Sequence, residues 1–578
     1  SPKVYVVGYN LANEDASLLD EVADHADDVF IADTALGLRT ALAEIFSLAQ
    51  AEVQSRTEVV YTNATQSSTD MQYQFNAAFQ SDPDNPTNLK GFLNQTVYQC
   101  SDDCIGISDS GASCAMDLVS IHDKLNERSN STRKLYAVVN GELHWLEPEL
   151  VDLATDGAEM SSMFGVPQTG NLSHVAPIGF DGARPIFSQA PLGPATDLGI
   201  QKAYMKDLIR MVRADDGSAR QGEHMGGVVH STPVVQEPVS SSSYPLQSWS
   251  LYTETSLNGT HQFPPKCRPT VLYAGTHDGM IHAFRTDHLD STSGTCAGLV
   301  PLQDEGDIGK ELWSVTPQHL LKKSHGLIGA YRFLMDGQMR LSDVLLVRGN
   351  PTESVASAEA TNWRSVLTTG YGDGGTGYIA LDVTNVLDGP NVMWEIDHEQ
   401  RCTNGTCYPA DGGAFVDDFS KLGLTKSRPA YGTAFLDNRE VAIAVLPAGD
   451  DPQDASRKQA GRAVYIVRLD NGEKVAEFSN STLGKVTNLS GGTVELDYHF
   501  TGSPAIYSNV PGVVSSRAFI GDAGGRMWRI DMRSTNPDDW RMQLFFDTYE
   551  DGPLTAETDE DRQPILGAPA LALDSVDG

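Results

Sequence analysis

The sequence predicts a mainly β protein whose larger part is a β-propeller, and three observations carry that prediction. The first is a hairpin-sized unit, VLYAGTHDGMIHAF from Val271 to Phe284: an apolar strand, a His-Asp-Gly turn, then a second strand. β-Branched and aromatic runs around a glycine-bearing turn are the sequence form of a β-hairpin. The unit recurs as RAFIGDAGGRMWRID at Arg517–Asp531 and more loosely as LYAVVNGELHW at Leu135–Trp145. Repetition of one hairpin unit points to radial architecture. The second observation is a repeated phrase of a small or polar residue, proline and a short strand. It reads VVHSTPVV from Val228, KSRPAYGTAF from Lys426, TGSPAIYS from Thr501 and LGAPALA from Leu566, with HVAPIGF from His174 a weaker example. Proline suits the first residue of a strand, where its missing N–H costs no ladder bond, so each phrase reads as an inner blade strand. The third is composition: 53 Gly and 29 Pro with little long helical periodicity favour many short strands joined by turns.

The elements follow in order. Residues 1–56 read β-α-β-α: a strand at Lys3–Gly8, a helix at Asp15–Ala23, a strand at Val29–Ile31, and a helix at Thr34–Ala49. The second helix sets Leu38, Leu42, Ile45, Phe46 and Ala49 on one face. This is the order of the closing part of a doubly wound α/β domain, too short to bury its own sheet and expected to be completed by upstream chain. Residues 57–125 read as a small β module, from the alternation in EVVYTNAT and MQYQFNAAFQ, with Lys90–Asp123 as an irregular surface insertion. Residues 126–578 form the propeller, with long insertions between blades. Within it, Gln201–Val212 predicts a helix with Tyr204, Leu208, Met211 and Val212 on one face. Strand pairs start at Ser365, Glu440 and Ala463, the last around an Asp-Asn-Gly turn. Trp313, Trp394 and Trp528 lie at or beside strands and are expected to pack between blades.

The chain carries 41 basic against 77 acidic residues, a net charge of −36. Such a balance repels phosphate backbones and anionic lipid, which argues against nucleic-acid and peripheral-membrane roles. No apolar run approaches the roughly 20 residues that span a bilayer. The seven cysteines sit in local groups: Cys100, Cys104 and Cys114; Cys267 and Cys296, bracketing the first hairpin; and Cys402 and Cys407, flanking TNGT. No C-x-x-C pair with a following His supports zinc, so disulfides in an oxidising compartment are expected. Eight N-x-S/T sequons, at Asn63, Asn94, Asn130, Asn171, Asn258, Asn404, Asn480 and Asn488, suit a loop-rich surface.

Eight phrases between Gly227 and Met532 stand in a recognisable order: VVHSTPVV, VLYAGTHDGMIHAF, GKELWSVTPQHLL, WRSVLTTGYGDGGTGYIALDVT, VMWEID, LGLTKSRPAYGTAF, AVYIVRLDNG and AFIGDAGGRMWRIDM. Together they resemble the C-terminal propeller of the PilY-type type IV pilus tip adhesins. VYVVGYN…VFIADTALGLRTALAEIF likewise resembles the end of a von Willebrand A domain, which that family carries ahead of its propeller. The resemblance implies an exported, extracellular protein at the pilus tip. It would prime pilus assembly through minor pilins and adhere to a host-cell or abiotic surface, without enzymatic activity. It also raises calcium, which the family holds on an Asp-rich loop before the hairpin matching Arg517–Asp531. Calcium takes about six to eight oxygen ligands, and YSNVPGVVSSR from Tyr507 offers no carboxylate, so no metal residue is assigned. The metal-binding loop of a von Willebrand A domain would precede Ser1, so residues 1–60 carry no metal assignment either.

Enzyme motifs are absent from the sequence: no G-x-S-x-G elbow, no H-E-x-x-H and no GxxxxGK[ST]. His230, His277 and His282 are scattered, with His230 read as capping a buried turn. GYGDGGTG from Gly370 joins strand to strand and reads as a glycine-rich turn. Asp450, Asp451 and Asp454, and Asp304, Glu305 and Asp307, read as solvated turns. No catalytic or cofactor residue is assigned. Two alternatives remain: a quinoprotein dehydrogenase, whose propeller repeat the hairpin resembles and whose cofactor is pyrroloquinoline quinone, and a surface scaffold unrelated to pili.

Overall fold

The computed structural model describes most of residues 115–571, together with 57–62, 71–81, 89–99 and the backbone of 6–9 and 29–32. Five antiparallel sheets of four strands follow one another in the chain. The first holds Val60–Tyr61, Met71–Ser81, Leu89–Gln99 and Ala115–Ser120. The second holds Val234–Gln236, Val271–Gly275, Ile281–Arg285 and Lys310–Thr316. The third holds Met339–Leu345, Trp363–Gly370, Gly377–Asp382 and Asn391–Asp397. The fourth holds Ala430–Leu436, Arg439–Pro447, Ala463–Arg468 and Lys474–Ser479, and the fifth Ala505–Tyr507, Arg517–Gly521, Arg526–Asp531 and Arg541–Asp547. In each sheet the strands run in sequence from inner to outer edge, the plan of a propeller blade.

Both faces of the central sheets are buried, which explains their unbroken apolar runs. In Arg439–Pro447, Val441, Ile443 and Val445 pack toward the fifth sheet, while Ala442, Ala444 and Leu446 pack toward the third. The second and third sheets share a core through Tyr273, Ile281 and Trp313 against Leu367, Ile379 and Leu381. The expected tryptophan packing is seen: Trp313, Trp394 and Trp528 are fully buried. Trp313 and Trp394 occupy matching outer strands, and each indole N–H donates to a carbonyl of the next sheet, Val386 at 3.3 Å and Leu469 at 2.9 Å. Sheets two to five each carry a register shift between third and outer strand, at Ala283/Phe284, Ala380/Leu381, Ile466/Val467 and Met527/Trp528. One irregularity at one place in four sheets marks them as copies of one unit.

Three readings of the sequence change. Lys90–Asp123 is not wholly irregular, because Leu89–Gln99 and Ala115–Ser120 are strands. Leu89, Leu93 and Val97 are buried on one face, and the polar Asn94, Gln95 and Thr96 between them hide the alternation. That sheet is also no separate module, since Phe75, Leu93 and Val97 share a core with Leu272, Ala274 and Phe284 of the second sheet. The LYAVVNGELHW hairpin starts no sheet of its own. Leu135–Val139 pairs in parallel with Lys310–Thr316, and Glu142–Trp145 extends the edge further.

The predicted helix is observed at Leu198–Val212, capped by Asp197, whose carboxylate accepts the Ile200 N–H at 3.1 Å. Near the start of the chain, Val6–Tyr9 pairs in parallel with Val29–Ala32. The helices expected at 15–23 and 34–49 lie outside the described residues.

Candidate functional site at the channel mouth

The proline phrases converge in space. HSTP precedes Val234–Gln236, KSRP precedes Ala430–Leu436, and TGSP precedes Ala505–Tyr507, each the innermost strand of its sheet. LGAPALA forms no strand; it lies beside the fifth sheet, where the Ser503 N–H donates to the Leu566 carbonyl at 3.0 Å. HVAPIGF contributes Pro177–Asp181 to a separate two-stranded sheet. The beginnings of four inner strands surround one cavity lined by Val60, Tyr61, Val234, Met339 and Arg428, so they form one mouth of the propeller channel.

Around this mouth runs a chain of acids and bases drawn from several phrases. The His230 N–H donates to Asp336 Oδ1 at 3.0 Å, and its Nδ1 lies 2.7 Å from Asp336 Oδ2. Lys426 Nζ lies 2.9 Å from Asp373 Oδ1 and 3.2 Å from Asp450 Oδ2. His499 Nδ1 is 3.6 Å from Asp450. Burial alone would lower the Lys426 pKa; Asp373 and Asp450 outweigh it and raise it. His230 therefore does not cap a buried turn, because its side chain is 42% exposed and held by Asp336. One ligand atom each from His230, Asp336 and Asp373 falls within 4.8 Å of the others. One imidazole and two carboxylates match a transition-metal donor set better than a calcium cage, and the Lys426 ammonium supplies positive charge beside it. Sequence reading missed this group because its members are far apart in the chain, His230 and Asp336 by 106 residues. Each does fall in or beside a conspicuous phrase: HSTP, MDGQ, GYGDGG or KSRP.

GYGDGGTG is a turn between strands, with a short 3-10 segment at Gly372–Gly374. Glycine is required at Gly374, where a Cβ would run into the backbone of Leu334. In the opening hairpin, His277, Asp278 and Gly279 form the turn, and Gly279 has φ +94°. Asp278 does more than bond locally. Its buried carboxylate accepts Arg220 Nη2 at 2.6 Å as well as the Thr276 hydroxyl. Burial would raise the Asp278 pKa, but Arg220, with His277 and His282, holds it far below the carboxylate range. The Gly227 N–H donates to His277 Nδ1 at 2.9 Å, and burial pushes that imidazole down to about 3, so it stays neutral. His282 belongs to a different group: its Nδ1 is 2.8 Å from Glu311, which also receives Arg133 Nε at 2.7 Å. All three side chains are buried. Arg133 lies just before Leu135–Val139, so this group fastens that hairpin to the second sheet. The structure thus keeps the three histidines in separate environments.

Cys267 and Cys296 are disulfide-bonded with Cα atoms 5.4 Å apart, as are Cys402 and Cys407 at 4.0 Å. The second bond clips the hairpin of Gln400–Thr403 and Thr406–Pro409. Cys100, Cys104 and Cys114 lie outside the described residues, as do Asp304, Glu305 and Asp307. Asp450, Asp451 and Asp454 accept backbone N–H groups of Asp451, Gln453 and Ser456, which is turn chemistry. Between Ala505–Tyr507 and Arg517–Gly521 no residue carries a carboxylate, so the stretch lacks the donors of a calcium loop.

A sequence model of the PilY1 beta-propeller domain matches residues 226–573. Among curated proteins, the type IV pilus biogenesis factor PilY1 of Pseudomonas aeruginosa strain UCBPP-PA14 is 24% identical over 396 residues, which are 64% of this chain and 28% of that protein. A PilY1 homolog of Xylella fastidiosa is 24% identical over 315 residues, 52% of this chain and 17% of that protein. The crystal structure of the P. aeruginosa PilY1 C-terminal domain is similar at 20% identity, with a TM-score of 0.33, over 53% of this chain and 50% of that one. The chain thus spans about a quarter of the length of the curated relatives it matches. Because the propeller match takes in more than half of its residues, this chain belongs to the PilY1 β-propeller family.

Proposed function

We propose that this chain is part of a type IV pilus biogenesis factor that acts at the pilus tip. In this reading it primes assembly through minor pilins and adheres to a host-cell or abiotic surface, and its work is binding rather than catalysis. The match to the PilY1 propeller over residues 226–573 is the observation that carries the reading. The disulfides at Cys267–Cys296 and Cys402–Cys407 support export to an oxidising, extracellular setting. The stretch without carboxylates before Arg517 supports a propeller that works without the family's calcium loop. The test is co-purification: the tagged chain, expressed in its own cells, should retain minor pilins through washing. Retention of none, alongside quinone-dependent dye reduction, would favour the dehydrogenase reading instead.

A further inference from the structure

The cavity at the channel mouth has a volume of about 380 Å³, and Arg340 and Arg428 both line it. Arg340 begins the inner region of the third sheet, and its guanidinium lies 5.7 Å from the Tyr431 ring centre. Its Nε is buried without a hydrogen-bond partner. Arg428 is fixed by its backbone, whose N–H donates to Ser503 Oγ at 3.2 Å, and by Pro429 behind it. Among the described residues neither guanidinium has an ion pair within 4.0 Å. Two carboxylates, Glu58 and Glu237, also line the cavity, but neither comes within that distance of either arginine.

The pair is conspicuous in a chain with 77 acidic and 41 basic residues. Other arginines set into these sheets meet acids: Arg133 meets Glu311, Arg220 meets Asp278, Arg268 meets Asp343, and Arg285 meets Asp287. Arg428 instead sits where burial and Arg340 both disfavour its charge. Two cations facing one cavity repel each other, and desolvation makes each costly unless an anion arrives. The fork of a guanidinium matches a carboxylate in two parallel hydrogen bonds. The net charge of −36 repels a multiply charged phosphate more strongly than a single carboxylate. Val59, Val60, Val234, Val235 and Leu341 give the cavity apolar walls beside the arginines, and its volume lies at the small end of ligand sites.

We propose that this mouth is a binding site for a carboxylate borne on an apolar body, held between Arg340 and Arg428. The carboxylate is that of a small organic acid or of a peptide that enters the channel. The site stands independently of the pilus role.

The experiment is calorimetric titration of the whole chain at low salt with three probes: N-acetylphenylalanine, a blocked glutamate tripeptide and inorganic phosphate. At least one carboxylate probe should bind at one to one, and the better one identifies the source. Arg340→Gln and Arg428→Gln should each weaken it about tenfold or more, while Arg439→Gln, at an exposed arginine of the fourth sheet, leaves it unchanged. A second readout needs no ligand. In low salt, Arg428→Gln should melt higher than the parent, and a saturating carboxylate should narrow or reverse the difference. No carboxylate binding up to millimolar concentrations, tighter binding of phosphate, affinity indifferent to both substitutions, or a lower melting point for Arg428→Gln in low salt would each overturn the proposal.

Discussion

Replacing Arg133 by Met should loosen the hairpin at 135–145 from the second sheet. Arg133 meets Glu311 through two bonds, Nε at 2.7 Å and Nη2 at 3.0 Å, and Glu311 is shared with His282 at 2.8 Å. Side-chain exposure of Arg133 and Glu311 is 1% and 0%. Burial pushes the Glu311 carboxyl up, and Arg133 and His282 outweigh it to hold the group far below its ordinary range. Removing Arg133 therefore leaves a buried carboxylate facing only an imidazole. Breaking such a pair from one side costs about 3–5 kcal/mol, whereas replacing both partners by neutral groups of similar volume is often close to neutral. The double substitution Arg133→Met with Glu311→Gln should thus recover most of what the single one loses. Urea unfolding followed by tryptophan fluorescence measures the loss, since Trp313 lies in the strand that carries Glu311. Hydrogen exchange at 135–139 reports whether the hairpin opens first. If the single substitution costs less than about 1 kcal/mol, or the double costs as much as the single, the group is not the fastening described.

Three further outcomes are expected. The neutral His277, pushed down to about 3 against an ordinary value near 6.5, binds fewer protons folded than unfolded. Its contribution is present above about pH 6.5 and is lost as pH falls toward 3, so His277→Gln should flatten the acid limb of a melting-temperature profile. An unchanged limb would refute the assignment. Trp394→Phe deletes the indole donor to Leu469 at 2.9 Å and leaves a void, and thermal or urea unfolding should show a loss of about 1–3 kcal/mol. Gly472→Ala should cost more than an exposed glycine substitution in the same unfolding assay. Gly472 has φ +74°, and an added Cβ would sit 2.8 Å from Trp394 Cγ.

Strand and turn chemistry was the legible part. Asp-Asn-Gly at 470–472, the alternation around Met71–Ser81 and the proline phrases before three inner strands all describe local backbone preferences, and local preference is what adjacent residues encode. The membership of each sheet was less legible. Leu135–Val139 resembles the other hairpin strands, yet it joins an edge made much later in the chain, and the tie is the Arg133–Glu311 pair 178 residues apart. Leu89–Gln99 was hidden because its polar residues lie on the face away from the second sheet or bond within it. Gln95, for example, is buried and donates to the Thr286 carbonyl at 2.8 Å. The channel mouth was least legible of all. His230, Asp336, Asp373 and Lys426 are each explained by their own turns, and only the radial fold sets them side by side.

The pilus role is tested most directly in the cells that make this chain. An in-frame deletion of its gene, with a complemented strain beside it, should lose surface pili counted by electron microscopy and lose surface adhesion, and both should return on complementation. A deletion strain that assembles pili in normal number and adheres normally would contradict the account.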